Sequence, residues 1–208
     1  MQITFNTGIV IGVVIGVLIS VGLYSLLDMR ESLPDTHKNV AYETSMYTMG
    51  GMHGDMEHME SMQQMMVTSE RDFIEMMIPH HEEAIDTANQ VLEHGATTEE
   101  IATLMTNIVA AQTAEVVSMR EWYEVWFGEA YQDSGKYQAM MRDLSGLSEE
   151  EIDRAFLVDM IPHHMGAIMM ARSIQPYIEH DEMAVLTENI VRTQSAEIVQ
   201  MRRLLKDI

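Results

Sequence analysis

An internal repeat constrains this chain more than any other feature. The tetrapeptide Ile-Pro-His-His at residues 78–81 returns 83 positions later, at residues 161–164. Further along each copy, Gln-Thr-Ala-Glu at residues 112–115 is answered by Gln-Ser-Ala-Glu at residues 194–197. A repeat of this length is typical of one supersecondary unit used twice, with each copy burying its apolar face against the other. A core needs only apolar volume, so the repeated His, Gln and Glu side chains indicate something more than packing.

Apolar residues recur at helical spacing in both copies, and no segment shows the sustained alternation of a strand. Capping residues or helix breakers bound the four expected helices. The helices run from Ser69 to Gly95, from Thr97 (with Glu100) to Gly128, from Ser148 (with Glu151) to Pro176, and from Asp181 to the C-terminus. Residues 129–147 connect the hairpins, with a short helix expected at residues 137–144. Two hairpins, at about residues 69–128 and 148–208, predict an all-α four-helix bundle over residues 69–208.

The N-terminal part predicts a membrane anchor. After a short tail at residues 1–7, residues 8–27 carry no charge and are long enough to cross a bilayer as a helix, and residues 28–45 suit a linker. Too long for a signal peptide, the apolar segment predicts a retained single-pass helix. Small residues at every fourth position would let two such helices pair in a homodimer. These residues are Gly8, Gly12, Gly16 and Ser20.

The orientation of the anchor rests on two arguments that oppose each other. The bases Arg30 and Lys38 follow the apolar segment, and the positive-inside rule favours the cytoplasm for that side. We nevertheless place the soluble domain on the periplasmic or extracellular side. The chain has no cysteine but 22 methionines, a composition that fits an oxidising compartment. The net charge of −21 argues against nucleic-acid partners and suits the attraction of cations.

Residues 46–66 form a Met/His-rich segment. Its candidate metal ligands are Met46, Met49, Met52, His53, Met56, His58, Met59, Met62, Met65 and Met66. Three glycines oppose a helix there, so a buried apolar stripe is a weak explanation. Thioether sulfur is a soft, neutral ligand that suits Cu(I) or Ag(I), and imidazole extends the range to Cu(II). The segment therefore predicts copper binding, with Cu(I) favoured over silver.

A second set of candidate ligands lies in the bundle. It comprises Met77, His80, His81, Glu115, Met119, Met160, His163, His164, Glu197 and Met201. Adjacent histidines diverge by roughly 100° on a helix, so one ring of each pair is expected in the core and the other at a seam. Two interpretations stay open. These side chains bind a transition metal, or each Glu hydrogen-bonds a His in a structural network.

The motif Phe-x-x-x-Met-Ile-Pro-His-His-x-x-Ala-Ile, followed by Gln-x-x-Glu and a later Met, resembles the domain-of-unknown-function family 305. The resemblance covers roughly residues 69–205 and occurs twice. It implies a ferritin-like helical bundle, and it implies a secreted or membrane-anchored bacterial protein similar to periplasmic copper-binding resistance proteins. The implied site residues are the two His pairs and the Gln/Glu/Met helices: His80, His81, His163, His164, Gln112, Glu115, Met119, Gln194, Glu197 and Met201.

Together these features predict a membrane-anchored, extracytoplasmic copper-binding protein that sequesters or transfers Cu(I) and is not an enzyme. One alternative is a ferritin-like metal-dependent oxidase, although the Glu-x-x-His motifs of di-iron bundles are replaced here by Gln-x-x-Glu. The other alternative is a helical interaction module with no metal role.

Overall fold

A computed structural model of the chain describes residues 65–94 and 96–208. Four helices make up most of this part: α1 (Glu70–His94), α2 (Glu99–Phe127), α3 (Glu149–Ser173) and α4 (Asp181–Asp207), with a 3-10 turn at Gln175–Tyr177 before α4. No strand occurs among these residues, so the all-α, four-helix prediction is confirmed. None of the four helices is long and apolar enough to span a bilayer. The expected anchor, linker and most of the Met/His-rich segment lie outside the described residues.

The helix ends follow from capping chemistry, with one correction. Glu151 accepts a hydrogen bond from the backbone N–H of Ser148 at 2.9 Å, as a capping box requires. Thr97 was expected to cap α2, but Thr98 does so, and its hydroxyl accepts from the N–H of Ile101 at 3.2 Å. At the other end of α2, Gly128 adopts a left-handed conformation with φ of 73°, which favours glycine.

The connector, residues 129–147, contains no helix, so the short helix expected at residues 137–144 is wrong. The backbone N–H groups of Met140 and Met141 instead donate to the carboxylate of Glu83 on α1, at 2.9 and 3.0 Å. Arg142 pairs with Asp159 on α3. The connector is therefore held in place by carboxylate side chains of α1 and α3.

The two hairpins meet through their first helices. α1 packs mainly on α2 and α3 mainly on α4, while α1 and α3 pack on each other and α2 and α4 contact each other only slightly. The core consists of two apolar clusters, one including Phe73 and the other its repeat equivalent Phe156, both fully buried. Along α1 and along α3, the His pair lies between the residues of one cluster and those of the other. The core is thus two apolar layers separated by a polar one.

Two buried carboxylates connect the hairpins at equivalent positions of the repeat. Glu70, at the start of α1, accepts from the backbone of Glu179 and His180 ahead of α4, at 2.8 and 2.9 Å. Asp153, its equivalent on α3, accepts from the backbone N–H of Thr97 ahead of α2 at 2.8 Å. Each hairpin therefore fixes the loop of the other one, and this explains why Thr97 is not available as a helix cap.

Candidate metal centre

The centre of the bundle holds four imidazole rings in a row. His80 and His163 are the inner pair, with ring centroids 3.7 Å apart and planes tilted by 33°. His81 lies 6.1 Å from His80, and His164 lies 6.3 Å from His163. All four side chains are fully buried, so neither ring of either pair reaches solvent. The α1–α3 contact encloses the inner rings, and α2 and α4 cover the outer ones.

Each outer histidine pairs with a glutamate of its own hairpin. Nε2 of His81 lies 2.7 Å from Oε2 of Glu115, and Nε2 of His164 lies 2.8 Å from Oε2 of Glu197. Both glutamate side chains are 18% exposed. A buried imidazole with one nitrogen hydrogen-bonded to a carboxylate has a fixed tautomer and orientation, and its other nitrogen is directed elsewhere. The carboxylates thus orient the outer rings from the edge of the bundle.

The inner histidines form no such hydrogen bond within the described part of the chain. Neither ring nitrogen of His80 or of His163 has a hydrogen-bond partner among the described residues. Burial lowers the pKa of His80 well below its ordinary value, and the neighbouring imidazoles lower it further. Burial likewise lowers the pKa of His163 to about 4, against the opposing effect of Glu83. Both rings are neutral at neutral pH, and their lone pairs are available to a ligand.

Glu83 is a site residue that the sequence reasoning missed. Its Oε2 lies 3.3 Å from Nε2 of His163, and the same carboxylate accepts a hydrogen bond from Tyr137 and from the connector backbone. Burial alone would raise the pKa of Glu83, but the contacts with His163, Tyr137, Met141 and Met140 together lower it. The sequence did contain a signal for this residue. Glu83 is a polar residue that follows the His-His pair, and its equivalent in the second copy is Gly166.

The remaining candidate ligands of the bundle lie around this layer. Gln112 and Gln194 are buried, and Oε1 of each has no hydrogen-bond partner among the described residues. The other four are fully buried in the two apolar clusters: Met77, Met119, Met160 and Met201. Of the Met/His-rich segment, Met65 is buried and Met66 is 59% exposed, while residues 46–62 lie outside the described part of the chain.

In this centre each glutamate oxygen, a hard donor, is paired with a histidine nitrogen, a borderline donor. Within residues 65–94 and 96–208, no group of three or more His, Asp or Glu side chains is close enough to hold one metal ion. Thioether sulfurs are abundant in the same part of the chain, and they prefer soft monovalent ions.

The sequence matches the family model described as "Domain of unknown function (DUF305)" over residues 22–123 and again over residues 70–205. The chain belongs to the DUF305 family. The resemblance seen in the His-His and Gln-x-x-Glu motifs is thereby confirmed. No curated protein sequence matches the chain.

Solved structures of similar proteins share the fold. CopM in a silver-bound form is 37% identical with a TM-score of 0.60, and the match covers 68% of this chain and 98% of CopM. CopM in the Cu(I)-bound form is 36% identical with the same TM-score and the same coverage. A DUF305 fragment from Deinococcus radiodurans is 26% identical with a TM-score of 0.58, and the match covers 67% of this chain and 96% of the fragment.

Proposed function

We propose that this protein binds monovalent copper, and also silver, in the polar layer of its bundle and in its Met/His-rich segment, in order to sequester copper or pass it on. The observation that carries the proposal is the inner histidine pair. His80 and His163 are fully buried and neutral, and among the described residues their ring nitrogens make no hydrogen bond, although Oε2 of Glu83 lies 3.3 Å from Nε2 of His163. A buried polar group without a partner is costly, and a structural network would be expected to satisfy it.

The outer histidines and their glutamates support the same function. A carboxylate that accepts from one imidazole nitrogen makes the other nitrogen a better ligand, as in many metal sites. His81 and His164 are held in this way by Glu115 and Glu197, and Nδ1 of each ring has no other hydrogen-bond partner among the described residues. CopM, whose structures include Cu(I)-bound and silver-bound forms, provides a parallel from a similar chain.

The donor set favours storage or transfer over oxidase chemistry. Di-iron bundles bind their metals through a cluster of carboxylates and histidines. The described residues bring together imidazoles and thioethers, and their carboxylates pair with single histidines. Such a set stabilises a soft monovalent ion rather than an ion that activates oxygen.

We further propose that residues 8–27 anchor the protein in the membrane, pairing through their small residues, and that the bundle lies on the extracytoplasmic side. The cysteine-free, methionine-rich composition supports this location, since thioethers bind soft metals where thiols would be oxidised. Protease added to intact spheroplasts should then remove residues 28–208. Protection of the domain would contradict this location.

Competition for Cu(I) tests the bundle function in the full chain. We call the full chain in which every Met of residues 46–62 is replaced by Ser and every His by Asn the tract variant. It lacks the donors of that segment and serves as the background for the other substitutions. It should still compete with a Cu(I) chelator under anaerobic conditions. Adding His80→Asn or His163→Asn should weaken binding at least tenfold, while His94→Asn, at an exposed histidine bonded only to the carbonyl of Gln90, should leave it unchanged. Equal binding by all of these proteins, with circular dichroism showing them folded, would refute a bundle site.

A further inference from the structure

The two copies of the repeat differ at Glu83, whose side chain lies beside an inner histidine. Glu83 contacts His163, and its equivalent in the second copy, Gly166, has no side chain to offer His80. A Cβ placed on Gly166 would lie 3.2 Å from Nε2 of His80. The second copy therefore lets the ring of His80 lie against the backbone of α3 at the place where the first copy supplies a carboxylate.

Two sulfur atoms surround the same point. The Cβ position of Gly166 lies 3.6 Å from Sδ of Met65 and 3.7 Å from Sδ of Met140. Met65 precedes α1 and Met140 belongs to the connector, so neither is part of the repeat. One imidazole nitrogen and two thioether sulfurs, from three separate segments, converge on the face of α3 that lacks a side chain.

This arrangement is a poor hydrogen-bond network. Thioether sulfur is only a weak acceptor, and Nε2 of His80 has no hydrogen-bond partner among the described residues although its side chain is fully buried. As a ligand set, one neutral imidazole and two thioethers match the preference of Cu(I) and Ag(I). Zinc bonds to nitrogen and sulfur are about 2.0–2.3 Å long, so both methionine side chains would have to turn toward Nε2 of His80 to share one ion with it. The flexible methionine side chain allows this.

We propose that Met65, His80 and Met140 form an asymmetric binding site for a soft monovalent cation against Gly166. The site deepens the proposed copper function and rests on it. Glu83 acts here as a positioning residue, because its carboxylate holds the backbone N–H of Met140 at 2.9 Å and the hydroxyl of Tyr137. Tyr137 also packs its ring edge against His80, with centroids 5.6 Å apart. The connector thus closes the site and supplies one of its ligands.

Methionine-to-leucine variants in the tract variant of the full chain test this site, since the exchange removes sulfur at nearly constant volume. Met140→Leu and Met65→Leu should each weaken Cu(I) binding at least tenfold and lower the sulfur contribution to the copper X-ray absorption spectrum. Met141→Leu, at the neighbouring half-buried connector position, and Met165→Leu, at a side chain 40% exposed, are matched controls that should change neither.

A gain-of-bulk variant tests the same site without removing a donor. Gly166→Ala places a methyl group at the point where the three donors converge, so it should weaken Cu(I) binding while circular dichroism shows the helices retained. Unchanged affinity and an unchanged sulfur contribution in both leucine variants would overturn the asymmetric site. If His80→Asn still weakened binding in that case, the proposed copper function would stand. A tract variant that binds no Cu(I) at all would remove the bundle part of the proposed function and the asymmetric site together.

Discussion

The imidazole of His80 lies against the imidazole of His163, its own equivalent in the repeat, with centroids 3.7 Å apart and planes tilted by 33°. When two copies of a unit pack about an approximate twofold axis, the residues on that axis meet their equivalents. The repeat therefore places two neutral rings against each other at the centre of the bundle. The outer histidines, His81 and His164, lie on either side of this contact, and Glu115 and Glu197 lie beyond them. Of these six side chains, only the two glutamates reach solvent.

The metal-free protein should lose stability in mild acid because of the inner histidines. The pKa of His163 is about 4 in the fold and 6.5 in a solvated reference state, so the unfolded chain takes up a proton first as the pH falls. Stability from this residue is fully present above pH 6.5 and decreases down to about pH 4. Between pH 7.5 and 5 it should fall by about 2 kcal/mol. Urea unfolding of the parent and of His163→Asn checks this, and an equal pH dependence of both proteins would contradict it.

The outer His–Glu pairs should contribute similarly to stability in the two hairpins. Glu115→Gln and Glu197→Gln each weaken a charge-assisted hydrogen bond to a buried histidine, at a cost of roughly 1–2 kcal/mol. Chemical unfolding at neutral pH measures both. Glu121→Gln, at an exposed position of α2, is the control and should change stability little. A large effect of only one of the two substitutions would show that the copies are not energetically equivalent.

The tethers between the hairpins yield a third expectation. Asp153→Ala leaves the backbone N–H of Thr97 without its partner, and Glu70→Ala does the same for Glu179 and His180. Each change should lower the free energy of unfolding by about 1–3 kcal/mol. Substitution of the exposed Glu188 on α4 serves as the comparison. Loss of stability no greater than at Glu188 would mean that the tethers are incidental.

The Met/His-rich segment should bind Cu(I) by itself. A peptide of residues 46–66 carries neutral soft donors at close spacing, and it should compete with a Cu(I) chelator near neutral pH. A peptide in which every Met is replaced by Leu keeps the length and charge but lacks the sulfur, so it should not compete. Equal competition by the two peptides would show that the thioethers are not the ligands.

Helix number, most helix ends and the repeated His, Gln and Glu residues of the polar layer were predictable from the sequence, because capping residues and repeated motifs are local signals. Ser148 with Glu151 and the break at Gly128 are examples. The burial of all four histidines was not predictable, since rings that diverge by about 100° on an isolated helix are both covered only when neighbouring helices and a connector close around them. The extended connector also escaped prediction, because its conformation depends on Glu83, which is distant in sequence.

The convergence of Met65 and Met140 on His80 illustrates the same limit. Met65 lies at the end of a segment whose periodicity favours metal binding, but Met140 stands alone in an irregular stretch. Only the folded chain places its sulfur near His80. One available signal was the exchange of Glu83 for Gly166 directly after a His-His pair that both copies share.

The most direct test of the central claim is the melting temperature of the tract variant of the full chain in a titration with Cu(I) under anaerobic conditions. Binding to the native bundle must raise stability, by about 2.7 kcal/mol at a free concentration one hundred times the dissociation constant. We expect the melting temperature to rise with Cu(I), and we expect this rise to disappear when His80→Asn is combined with His163→Asn. A melting temperature that stays flat across the titration, in a variant shown to be folded, would contradict a copper site in the bundle.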